Sequence, residues 1–286
     1  MFTWYSFALL SLFLMGTQRF LYKVSAEKRC NTAWTTFSFM GTVAAMSSVL
    51  FLLTGEPVLD VSYLLLVGLA NGGSFSLATV AHIEALKHLP VSVAYPIIRL
   101  NVVIVVFFSI LYFRDRLSYL QMTGILIAVT AFALLAKEGD RKEETFKDRR
   151  WGFFLVMLST FSGAAASITS KFAAVHTNML AYMAISYIAS MLFSFGMRNR
   201  LQTEKVTGNR KLAMIIGLTM GLLNFGGYFL FLRALSTGPL SLVVPIIGMA
   251  FVIPIVLSAL IYKETLTPFR IVGIAMTIVS VVLLRL

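Results

Sequence analysis

One internal repeat constrains this chain more than anything else in it. Residues 84–135 align without a gap on residues 233–284, at an offset of 149. The first stretch opens EALKHLPVSVAYPIIRLN and the second RALSTGPLSLVVPIIGMA. Identical pairs include Ala85/Ala234, Leu86/Leu235, Pro90/Pro239, Ser92/Ser241, Pro96/Pro245, Ile97/Ile246, Ile98/Ile247, Ser109/Ser258, Leu117/Leu266 and Gly124/Gly273, and Asp115 faces Glu264. The same offset sets Gly68/Gly72 on Gly217/Gly221. Shared prolines, glycines and an acidic position at one offset are not what chance similarity between apolar segments produces.

Each copy lies in a chain of 286 residues that is 58% hydrophobic and 13% charged, about half the charged fraction of a soluble domain. A spanning helix needs about 20 apolar residues. Ten such runs are predicted, over 3–25, 31–53, 61–82, 91–113, 118–136, 151–172, 178–197, 211–235, 240–262 and 268–285. The fold class expected is all-α and integral to the membrane, with ten transmembrane helices. The units are a first repeat over 1–136, a linker over 137–150 and a second repeat over 151–286. The N-terminal run lacks a basic n-region and a small-residue cleavage pattern, so it reads as a retained helix with Trp4 and Tyr5 as interfacial anchors.

Five spans per repeat is an odd number. The two copies must therefore enter the membrane from opposite sides, as inverted repeats. Transporters use this construction for alternating access, with substrate near the midplane between the halves.

The formal net charge of +12 would suggest nucleic acid in a soluble protein. Here the basic residues sit mostly in short loops, so no nucleic-acid partner is expected. Seventeen Lys and Arg fall on the side that holds the linker and five on the other. The positive-inside rule then predicts a cytoplasmic linker and both termini outside. The linker is mixed in charge, with six Lys/Arg and five Asp/Glu. The membrane expected is a plasma membrane of the bacterial inner-membrane kind. Cys30 is the single cysteine, so neither an intrachain disulfide nor a thiolate metal site can form.

Ten spans in two halves, each with Ala-Leu, Pro, a kinked helix, an acidic loop residue and a Gly-containing last span, resemble the EamA-type branch of the drug/metabolite transporter superfamily. The residues carrying the likeness are Ala85, Leu86, Pro90, Asp115 and Gly124, then Ala234, Leu235, Pro239, Pro254, Glu264 and Gly273. Val105 stands where the second half has Pro254, so the first-half helix is expected to lack that kink. The resemblance implies a secondary transporter, often an exporter of amino acids or other metabolites.

Charge inside the membrane costs about 2.5–3.5 kcal/mol at a helix centre, and such residues are functional candidates by default. Arg99 lies about 13 Å into the fourth span at the helical rise, near the midplane, with Tyr95 one turn away and Pro96 freeing a carbonyl beside it. Arg19 and Gln18 lie in the first span. None of the twelve Asp and Glu is predicted mid-span to neutralise Arg99. A wet cavity or an anionic ligand would satisfy it, since the planar guanidinium fork suits carboxylate and phosphate. Alternatively Arg99 bonds backbone carbonyls and holds a helix break. Its repeat partner is Gly248, so one half supplies the base and the other space. Asn71, Asn224 and Tyr228 complete the candidate set. Each asparagine either orients substrate or makes an interhelical hydrogen bond. Asn101, about 200° around the helix from Arg99, is expected to pack elsewhere. The glycine pairs are expected to serve close helix packing. His82, His88 and His176 are predicted at span ends without metal spacing.

These residues predict transport of a small polar metabolite with an anionic group, such as an amino acid, an organic acid or a phosphorylated compound. A coupling proton or counter-substrate is a possible partner besides the bilayer, and the chain is expected as monomer or homodimer. A lipid or lipid-phosphate flippase is the alternative. Span 1 has no acid, which weighs against proton-coupled export of cationic drugs. An enzyme is not expected: DDxxD, HExxH and GxSxG are missing, and the reading names no catalytic residue, cofactor or metal.

Overall fold

The computed structural model describes residues 3–28, 30–85, 88–89, 91–136, 149–196, 210–263 and 266–286. Ten helical traverses run through them, and no strand occurs among the described residues. The first half comprises α1 (Trp4–Glu27), α2 (Thr32–Thr54), α3 (Val61–Ala85), the broken α4 and α5 (Tyr119–Ala136). The second comprises α6 (Arg149–His176), α7 (Met179–Gly196), α8 (Arg210–Thr237), the broken α9 and α10 (Pro268–Leu283). Apart from its last two residues, which open α6, the predicted linker lies outside the described residues.

Not every traverse advertises itself by hydropathy. Among the described residues, six helices are long and apolar enough to cross a membrane on that criterion. The 24 residues of α1 reach about 36 Å, ample for a bilayer, but Gln18, Arg19, Lys23 and Glu27 dilute its apolar character. Outward-facing Phe13, Leu52, Leu66, Phe107, Leu126, Phe161, Ile215 and Ile278 make the apolar surface that lipid would cover.

The halves interlock. α1 packs chiefly on α8 and α3 on α6, which are images of one another when each helix is exchanged for its equivalent five places on. α2 on α8 mirrors α7 on α3, while α2 on α7 and α5 on α10 are self-images. This is the self-complementary pattern of a two-fold interface, here within one chain.

Small residues permit it. A Cβ on Gly72 of α3 would lie 2.7 Å from the Ser186 carbonyl oxygen of α7. At the equivalent place, a Cβ on Gly221 of α8 would lie 2.9 Å from the Phe39 carbonyl oxygen of α2. Gly124 packs on Leu284, and its equivalent Gly273 on Leu135, which is the equivalent of Leu284. The glycine pairs are thus backbone contacts between the halves.

The fourth helix of each half is broken near its middle. α4a (Val91–Arg99) ends at Leu100, and α4b (Asn101–Phe108) follows and widens into a π-turn at Ser109–Phe113. α9a (Leu240–Gly248) ends in a 3-10 turn at Met249–Phe251 before α9b (Val252–Ile261). Leu100 and Met249 are repeat equivalents. Each break falls four residues after the shared proline, Pro96 or Pro245. α4b runs unbroken through Val105, as expected there, although α4 is broken five residues earlier, at Leu100. Pro254 sits in the first turn of α9b, where a missing N–H costs little, and is not itself the kink.

Equivalence extends to the backbone after the fourth helix. Arg114 and Lys263, at the same repeat position, both take the left-handed conformation, at φ 57° and 53°. The turn at Arg114 delivers Asp115 to the N-terminus of α9a. Asp115 accepts from the Ser241 amide at 3.2 Å, from the Ser241 hydroxyl at 2.7 Å and from Ser109. Lys171 of α6 donates nearby to the carbonyls of Leu235 and Gly238, at 2.5 and 2.9 Å, where α8 ends. A carboxylate at a helix start and an ammonium at a helix end both suit the helix dipole. Asp115→Ala removes a cap shared between the halves. It is expected to destabilise the protein by about 1–2 kcal/mol, seen as a lower melting temperature in detergent.

Candidate functional site

Both helix breaks border one cavity of about 340 Å³ between the halves. The first four helices of each half contribute to its walls, while α5 and α10 stand aside. The volume is at the small end of ligand sites.

One part of the lining is basic. Arg19 comes from α1 and Arg99 is the last residue of α4a, joined by Gln18, His82 and Asn101. Both guanidiniums belong to the lining of the same cavity. Nη1 of Arg19 is sealed from solvent and has no hydrogen-bond partner among the described residues. No Asp or Glu is among the described residues that line the cavity. The Arg99 guanidinium lies 5.7 Å from the centre of the Phe132 ring. Its place at the C-terminus of α4a is favourable to a cation, so holding the break and facing a ligand are compatible roles. The repeat equivalents of Arg19 and Arg99 are Ile168 and Gly248, so the scaffold is two-fold but its charge is not.

The other part is a neutral network. Asn71 of α3 donates to the Ala166 carbonyl of α6 at 2.7 Å and accepts from Ser186 of α7 at 2.6 Å. Ser170 and Tyr228 share a 2.9 Å bond, and Tyr182 lies 3.3 Å from both hydroxyls. Tyr187 donates to Asn224 of α8. Four helices from the two halves thus meet through hydroxyls and amides. Polar groups at this depth are stable only when paired. Asn71→Ala strips partners from Ser186 and Ser170 at once. The expected cost is about 1–2 kcal/mol, above the ~0.6 average for an intramembrane hydrogen bond because several bonds go together. Chemical or thermal denaturation in detergent measures it.

Of the predicted residues, Gln18, Arg19, Asn71, Arg99, Asn224 and Tyr228 all line this one cavity. Tyr95 lies in α4a, but its side chain is outside the described residues. One reading needs correction. Asn101 lines the cavity beside Arg99, because the break at Leu100 resets the helical rotation on which the 200° separation rested. His82, in the last turn of α3 and so at the span end as expected, lines it as well.

Sequence reasoning missed Tyr182, Ser186, Tyr187, Ser190 and Ser170. A signal was present: Tyr182, Ser186 and Ser190 recur every four residues along α7, a polar stripe on one face of an apolar helix, and all three are buried.

The profile of the EamA-like transporter family matches residues 2–137 and again 150–286. A solved crystal structure superposes with a TM-score of 0.77 over 99% of this chain and 98% of its own, at 15% identity, a likeness of fold alone. A search of the curated proteins finds no match. With a family profile matched twice, end to end, on two interlocked inverted repeats, the chain belongs to the EamA-like transporter family.

Proposed function

We propose that this chain is a secondary active transporter of a small polar metabolite with an anionic group, moved by alternating access. The observation that carries the reading is the pair Arg19 and Arg99 in one cavity between the halves, lined by no carboxylate among the described residues. Guanidiniums bind carboxylate and phosphate through charge and a bidentate fork. Broken helices at the midplane are the usual place for such a site. The lysine and arginine distribution supports a cytoplasmic linker with both termini outside, and export is the direction favoured by the family resemblance.

Transport across a sealed vesicle tests this directly. Protein reconstituted in liposomes should move labelled anionic or zwitterionic metabolites, and empty liposomes should not. Movement confined to cations or uncharged solutes would overturn the reading.

A further inference from the structure

We infer, resting on the alternating-access reading above, that Asp115 latches the cavity shut at one end, and that this latch must open for substrate to pass there. The cavity is lopsided along the helices. Toward one face its lining runs on to Tyr22 in α1 and His82 in α3, within two turns of where those helices end. Toward the other face it stops short. It begins only at Met15 of α1, ends at Ser170 of α6 and Phe231 of α8, and takes nothing of α9a before Val244. Beyond that limit stand Lys171, Gly238, Ser241 and Asp115.

What fills that end joins the two halves. The left-handed turn at Arg114 sets Asp115, of the first half, on Ser241 of the second, with the amide at 3.2 Å and the hydroxyl at 2.7 Å. Tyr112 and Phe113, where α4 ends, meet Phe172 of α6 at ring separations of 5.4 and 5.3 Å. Lys171 Nζ lies 5.8 Å from the centre of the Phe113 ring, and its bonds to Leu235 and Gly238 tie α6 to the end of α8. Ring contacts tolerate sliding, whereas hydrogen bonds to a carboxylate are strong and fixed in direction. A small shift of α9a from the turn at Arg114 therefore loses both Ser241 bonds at once. The repeat supplies an internal contrast. Tyr22 is the equivalent of Lys171. It is exposed and lines the cavity at the opposite end, while Lys171 is bonded outside the lining. Equivalent positions thus face the cavity at one end and seal it at the other, as expected of inverted repeats held at one stage of alternation. Passage through the sealed end requires Asp115 to part from Ser241.

Spin labels read the opening without any substrate. Cys30 is the single cysteine, so Cys30→Ser gives a clean background. Labels at Tyr119→Cys and Thr237→Cys then mark the two halves at the sealed end, where both positions are exposed. Double electron–electron resonance on the full protein in detergent should show one dominant distance. Asp115→Ala should raise the population of a second, longer distance about tenfold, and Ser241→Ala should raise it less. A cap that served stability alone would lower the melting temperature and leave the distance distribution unchanged, and that result would overturn the inference. The second arm locks the end. Asp115→Cys with Ser241→Cys, in the same background, is joined by a short thiol crosslinker that reductant removes. The crosslink should stop liposome uptake of labelled glutamate, succinate or glycerol phosphate, whichever the uncrosslinked pair moves, and reductant should restore it. Uptake that continues through the crosslinked pair would overturn the inference and leave the transporter reading standing. A wild-type protein that moves none of the three, in which Asp115→Ala still brings in the longer distance, would overturn the anion-transport reading and leave the latch.

Discussion

Arg99→Ala is expected to lower anion uptake into reconstituted liposomes by about 100-fold, near 3 kcal/mol, the scale for truncating one partner of a buried, hydrogen-bonded charge pair. The loss should fall on transport and not on folding. In most buried ion pairs, deleting one member strands the other, and the protein loses stability with activity. Here the guanidinium ends α4a and faces a cavity, so its removal widens an existing space and opens no void in packed core. The melting temperature in detergent should therefore stay close to that of the wild type. Arg99→Lys should fall between the two, because it keeps the charge and loses the bidentate fork. Uptake by Arg99→Ala at the wild-type rate, in protein verified as folded, would dismiss the clamp.

Gly217→Leu is expected to have the opposite profile, a failure of assembly with no vacancy in the site. A Cβ there would sit 2.5 Å from the Thr35 carbonyl oxygen, 2.7 Å from the Ser38 Cβ and 3.1 Å from the Phe39 amide nitrogen. Two of these are backbone atoms of α2 and cannot rotate aside. Overpacking a core costs about 1–3 kcal/mol when side chains can adjust, and here the cost should reach or exceed the top of that range. The variant should elute aggregated or melt far below the wild type in detergent. Gly73 supplies the control. It lies next to Gly72 on α3, but a Cβ there meets nothing within 4 Å. Gly73→Ala should leave stability within about 0.5 kcal/mol.

Helix positions were readable from sequence because most spans are long apolar runs bounded by charge or proline. The ends of α4 as a whole, α9 and α2 fall within a residue or so of the reading, whereas α6 begins two residues earlier and ends four later than predicted. The repeat was equally readable, since an offset needs no structure to detect. What could not be read was partnership. That α1 packs chiefly on α8, and α3 on α6, depends on which faces are buried, and in a membrane both the buried and the lipid-facing sides of a helix are apolar. Charged and amide residues were therefore the readable part of the site, because they are anomalous at that depth. Arg19, Arg99, Asn71 and Asn224 were found this way. Tyr182 and Tyr187 were not, because an aromatic residue in an apolar run looks the same whether it faces lipid or a neighbouring hydroxyl. Asn101 was misplaced by assuming one continuous helix through a point where the chain breaks.

The exchange of partners between the halves bears on how the protein is made. When the ribosome has delivered α1 to α5, the main neighbours of α1, α2 and α3 have yet to be synthesised. Arg19 and Asn71 are then already in the bilayer, and Asn71 lacks the Ala166 and Ser186 partners that the second half brings. The nascent first half is consequently a substrate for membrane quality control until α6 to α8 insert beside it. A message truncated after the fifth helix should yield a product that is degraded. The two halves supplied as separate chains should rescue each other, since nearly every large helix contact in the finished fold already runs between them.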